Sequence, residues 1–94
     1  MKLERDGGAW IVVLPAECTI AEVEADADKV RLFPEGVERI EVRGGEVEEM
    51  DTAYFQLLLS IRATARQRGI PFRLSEEAEA LRRMGELYGI ALES

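Results

Sequence analysis

The chain has 94 residues, 47% hydrophobic and 33% charged, with a net charge of −7 and no histidine. That size and balance describe one folded domain with a modest core, and they exclude a disordered chain. The acids are concentrated in the front half: residues 17–51 hold twelve Asp/Glu against four Lys/Arg, a net of −8, whereas residues 52–94 come to +1. Nucleic acid is therefore disfavoured as a partner, and a basic or mixed protein surface is favoured.

In chain order, Lys2 to Arg5 reads as a short edge strand hairpinned through Gly7-Gly8 to a β-branched, aromatic run, "AWIVVL", that stops at Pro15. "ECTIAEVEADADKVRLF" is helical in pattern. Thr19 and Glu22 have capping-box spacing, Cys18 and Val23 the spacing of a hydrophobic staple, and Ile20, Val23, Ala27 and Val30 form an apolar face. Pro34 and Gly36 end it. "VERIEVR" is strand-like, with Val37, Ile40 and Val42 as its apolar positions, and Gly44-Gly45 closes it.

A second helix is predicted from about Thr52 to Arg68, with Gly69 as its stop and Arg62, Arg66 and Arg68 complementing the dipole. "IPFRL" is a compact strand. Ser75 is the expected cap of a third helix, whose apolar positions are Ala78, Leu81, Met84 and Tyr88 and whose stop is Gly89. "IAL" reads as a last short strand. The order β-β-α-β-α-β-α, with a final β, predicts a single compact α/β domain over residues 1–94. Its sheet is mixed but mainly parallel, four- to five-stranded, with about three helices.

The inventory leaves little room for catalysis. Without histidine there is no Ser-His-Asp or Cys-His pair and no zinc site. Cys18 lies beside Glu17 and Glu22, which raise a thiol pKa, and it reads as a small core residue. Gly7-Gly8 and Gly44-Gly45 lack what a phosphate loop needs and read as turns. Glu46, Glu48, Glu49 and Asp51 do not have calcium-loop spacing and read as a solvated acidic loop. No enzyme activity, metal or cofactor is expected. A lone cysteine, no leader pattern and no long apolar run place the protein in the cytoplasm, without direct insertion into a membrane.

Asp51 and Thr52 stand where the second helix begins. Either side-chain oxygen can cap it, which would account for both residues. A hydroxyl at a helix start is also where a phosphate is tolerated by free N–H groups, although Glu48, Glu49 and Asp51 repel one. Along the helix, Tyr54, Leu57 and Ile61 fall towards a flank. That flank is either a wide buried face or a docking surface.

At this point the chain resembles a known family. "VEEMDTAYFQLLLSIRATARQRGIPFRL", followed by "SEEAEALRRMGELYGI", resembles the STAS domain of bacterial anti-sigma factor antagonists, and "LPAECTIAEVE" resembles that family's first strand-to-helix passage. The likeness covers nearly the whole chain and agrees with the element order. It implies a non-enzymatic protein-protein interaction module that binds an anti-sigma partner of the ATPase-like serine-kinase type. On that likeness Thr52 is the phosphoacceptor candidate, Asp51 the carboxylate before it, and Asp51, Thr52, Ala53, Tyr54 and Leu57 the partner-binding residues. Tyr54 stands where the family usually has glycine, Ala53 gives no second hydroxyl, and Thr19 takes the place of a first-helix aspartate. A second STAS role also fits: accessory subunit of a lipid-transporting ABC complex, bound to its ATPase subunit. A weak homodimer through the helix flank or an edge strand is left open.

Overall fold

Alternation along the strands decides which side of the sheet is covered. The computed structural model describes residues 1–31 and 33–90. In β4 (Arg39–Arg43), Ile40 and Val42 face one way and are enclosed, while Arg39, Glu41 and Arg43 face the other. The register carries that division across the sheet. Trp10 aligns with Ile40 and Phe72, and Val12 with Val42 and Leu74; on the opposite face Ile11 aligns with Glu41 and Arg73. The strands are β1 (Lys2–Asp6), β2 (Ala9–Val13), β4 and β6 (Phe72–Ser75), in the spatial order β1-β2-β4-β6. Only β1 runs antiparallel. A separate two-residue pairing joins β3 (Glu17–Cys18) to β5 (Glu49–Met50).

The helices are α1 (Ile20–Val30), α2 (Thr52–Gln67) and α3 (Glu79–Tyr88). α2 is the central one. Its buried stripe of Tyr54, Phe55, Leu58, Ile61 and Ala65 has helical spacing and joins Trp10, Val12, Ile40, Val42 and Leu74 in one core. Gly69, at φ +68, stops it, and the amide of Ile70 turns back to the Ala65 carbonyl at 2.8 Å. α3 contributes one fully buried residue, Leu81.

The α/β order and the mainly parallel sheet match the expectation from sequence, and three details differ. Ser75 does not cap α3. Its carbonyl accepts from the Gly44 amide, which keeps it in the ladder beside β4; Glu76 then turns the chain at φ 55, and α3 starts at Glu79. Ile20, placed on the apolar face of α1, is 73% exposed. The inward position of that helix that sequence did not flag is Asp26, 3% exposed. The final strand expected at "IAL" lies outside the described residues from position 91 onward.

Asp26 is a carboxylate taken out of water, so it requires partners. The Tyr54 hydroxyl donates to it at 2.6 Å. The Met1 ammonium lies 3.5 Å from each of its oxygens, and Lys29 Nζ lies 3.6 Å away. Burial, and next the hydrogen bond to Asp26, push the Tyr54 phenol well above its ordinary range, so it stays a donor. The pair ties α1 to α2 across 28 residues of sequence. Tyr54→Phe keeps the packing and removes the shortest donor. It is expected to cost about 1.5–3 kcal/mol in urea unfolding, the usual value for a hydrogen bond to a charged group; no loss would mean the two cations alone satisfy Asp26.

Cys18 is fully enclosed beside this pair, and burial above all pushes its thiol from about 9 up to about 12. Above pH 9 the unfolded chain therefore releases a thiol proton that the folded chain retains. Stability is present in full below that pH and is lost as pH rises from 9 to 12. The urea midpoint should fall across this window, and less steeply in Cys18→Ala; parallel slopes would show that the thiol makes no contribution.

Candidate functional site at the helix starts

The second helix begins where β5 ends, and Asp51 is committed there on every polar side. Its backbone is extended, at φ −102 and ψ 174, as an N-cap requires. Oδ1 accepts the Tyr54 amide at 3.0 Å, and Oδ2 accepts the Ile20 amide at 2.6 Å. Its own amide donates to the Cys18 carbonyl, and its carbonyl accepts from Phe55, both at 3.0 Å. One carboxylate thus serves the starts of α1 and α2 together, satisfying an orphan donor at each. α1 has its own capping box as well: Glu22 Oε2 accepts the Thr19 amide at 3.3 Å and the Thr19 hydroxyl at 2.6 Å.

Because Asp51 performs the capping, Thr52 is released from it. Thr52 is exposed, and its hydroxyl meets the Tyr88 hydroxyl at 2.7 Å. Tyr88 ends α3 and stacks on Phe55, with centroids 5.6 Å apart and planes at 15°. The exposed large apolar side chains among the described residues are Ile20, Leu87 and Tyr88. Ile20 is held on Asp51 through its amide, Tyr88 touches Thr52, and Leu87 is the neighbour of Tyr88 in the chain. Glu17 pairs in register with Glu49, which with Glu48 gives this end of the molecule an acidic margin of exposed carboxylates.

The five residues expected at a partner surface separate here. Asp51 is half-buried, Thr52 exposed, and Ala53 and Leu57 half-buried, with Leu57 packed against the core. Tyr54 is 0% exposed and faces Asp26, so the surface contact expected of it is corrected to a core role, and the flank with Ile61 is the buried face. The inward position is used for a buried hydrogen bond, and a tyrosine there does not crowd the outer surface of the helix start. Ile20 and Tyr88 were not expected at the site. Both are terminal residues of their helices, where an apolar stripe runs past the edge of the core, and that position is the signal sequence offered.

Among the described residues no group of three or more His, Cys, Asp or Glu is arranged to hold a metal ion. No helix among them is long and apolar enough to cross a membrane. The arrangement offers no nucleophile–base pair. It offers a presented hydroxyl in an apolar and acidic setting.

Comparison with solved structures places this architecture. The chain superposes on a protein of Thermotoga maritima described as an anti-sigma factor antagonist with a TM-score of 0.80, at 19% identity over 94% of this chain and 77% of that one. An RsbS protein of Moorella thermoacetica carrying a serine-to-glutamate substitution gives 0.79, at 16% identity over 97% and 79%. A sulfate transporter family protein of Wolinella succinogenes gives 0.75, at 15% identity over 89% and 69%. No family profile and no curated protein sequence matches the chain. The class is thus a small α/β domain of three helices with a mixed, mainly parallel sheet. More particularly, the fold is that of a STAS domain.

The division of roles at the helix start is testable by stability. Asp51→Ala removes a cap and a cross-helix acceptor together and should cost about 1–3 kcal/mol. Thr52→Ala should cost less than about 1 kcal/mol, since only a surface contact is lost. Thermal unfolding followed by circular dichroism measures both, and equal losses would put Thr52 back in the cap.

Proposed function

We propose that this chain is a non-enzymatic docking module that works as an anti-sigma factor antagonist does, presenting the start of α2 to a regulatory partner of the serine-kinase type. The observation that carries the reading is the release of Thr52: Asp51 holds both helix starts, one through the amide of exposed Ile20, and the exposed Thr52 meets the Tyr88 hydroxyl. Apolar side chains around a small hydroxyl make a contact that an added charge would break. Phosphorylation brings about −1.5 to −2 charges, here into a margin already occupied by Glu17, Glu48 and Glu49. The acidic margin selects a partner with a basic face. The likeness in fold to an anti-sigma factor antagonist supports the same reading. In this proposal the protein acts in the cytoplasm, with Asp51, Thr52, Ala53 and Leu57 in or beneath the contact.

A second reading, an accessory subunit bound to a transporter ATPase, draws support from the likeness to a sulfate transporter family protein. One experiment separates them. Wild type and Thr52→Glu are used as bait in native cytoplasmic extract, with mass analysis of the bait. A serine-kinase-type partner held by wild type and lost from Thr52→Glu, with a phosphoryl group found on wild-type bait, is the expected result. Recovery of a transporter ATPase on unmodified bait would establish the second reading, and equal capture by both baits would remove Thr52 from the contact.

A further inference from the structure

Among the described residues, the last turn of α3 has few ties to the rest of the molecule. α3 buries one residue completely, Leu81, in its first turn; Ala80 and Met84 are partly covered. Beyond Met84, Leu87 is 72% exposed and Tyr88 44% exposed. Yet the turn is sharply closed. The Ile90 amide bonds the Gly85 carbonyl at 2.8 Å, the Gly89 amide bonds the Glu86 carbonyl at 3.2 Å, and Gly89 sits at φ +64. Gly85 is required for this closure, since a Cβ there would lie 2.7 Å from the Ile90 carbonyl oxygen. The motif sets Tyr88 immediately before a left-handed residue and aims it at the start of α2. Two contacts meet it there: the hydroxyl of Thr52 at 2.7 Å and the ring of Phe55.

We infer that Tyr88 is an intramolecular cover on Thr52, and that the last turn of α3 reports the state of that hydroxyl. The inference rests on the proposed role of Thr52 and adds a regulation to it. The phenol oxygen stands 2.7 Å from the Thr52 hydroxyl, with either group able to donate, and so occupies one side of it. A partner group or phosphoryl donor that approaches Thr52 from that side displaces the phenol. Once displaced, Tyr88 retains its stack on Phe55, and the turn behind it loses the polar attachment to α2 that Thr52 supplies. Engagement of Thr52 is thereby converted into freedom of the turn between Met84 and Ile90, both of which stay packed against the core, some 36 positions away in sequence.

Amide hydrogen exchange on the isolated protein tests this without any partner. The reporters are the amides of Gly89 and Ile90, whose acceptors lie within α3. Tyr88→Phe and Thr52→Val each remove one hydroxyl and retain most of the shape. Each should raise exchange at these amides about two- to twelvefold, the range expected for the loss of one hydrogen bond. The double variant should exchange no faster than either single one, because the two changes delete the same bond. Thr52→Glu should raise exchange at the same place. Unchanged exchange in α3, or effects that multiply in the double variant, would overturn the cover. Core amides of α2 serve as the internal control, and a general rise there would identify unfolding instead. The result is independent of the docking test: loss of the cover leaves docking at Thr52 intact, and loss of docking leaves the cover intact.

Discussion

The structure depends on one carboxylate placed between two helix starts. A helix leaves its first amides without partners, and a fold that brings two such starts together must supply acceptors for both. Asp51 does so with its two oxygens, one on each helix, at 2.6 and 3.0 Å. The arrangement also places a negative charge at the positive end of both helix dipoles. It requires that β3 and β5 lie side by side, because the pairing of Cys18 with Met50 brings the two chain segments into reach. The two-residue sheet is small, yet it sets the distance that the carboxylate spans.

Behind this bridge stands a second one, made of Asp26 and Tyr54. It joins the same two helices further in, where both side chains are buried and a phenol can remain a donor. The two bridges divide the labour. The inner one fixes the spacing of α1 and α2, and the outer one fixes their ends, so that Thr52 sits on a rigid step. The contact proposed for this hydroxyl would benefit from such a base, since ordering it on binding then costs little.

Much of this was legible in the sequence. Strand order follows from apolar alternation and turn glycines, and both helix stops were visible at Gly69 and Gly89 because a left-handed residue there needs no side chain. The capping box of Thr19 and Glu22 was readable from spacing alone. Asp26 was not, since an acid in "EADADK" has the composition of a solvated face, and only the third dimension supplies the Tyr54 hydroxyl and the cations that allow its burial. Tyr54 and Tyr88 exchanged expectations for a related reason. Both belong to apolar stripes, and a stripe does not tell where the core ends: Tyr54 lies under α1, whereas Tyr88 lies one turn past the last covered residue. The choice between Asp51 and Thr52 as cap was open in sequence because both side chains can accept, and it is settled by the second amide, that of Ile20, which a carboxylate can reach while also serving Tyr54.

The same geometry explains why a charge at Thr52 would act outward. A phosphate at a helix start is ordinarily stabilised by the free amides of the first turn. Here the Tyr54 amide is taken by the Asp51 side chain and the Phe55 amide by the Asp51 carbonyl, so part of that cradle is already filled. An anion on Thr52 would also meet the Asp51 carboxylate at its side. The helix therefore offers it little internal compensation, and the scaffold has little reason to refold around it. What remains is the surface: the phenol of Tyr88 at 2.7 Å and, in the proposed reading, the docked partner. The proposed switch needs the modified state to alter the contact and spare the fold, and a cap that has already claimed the amides suits that need.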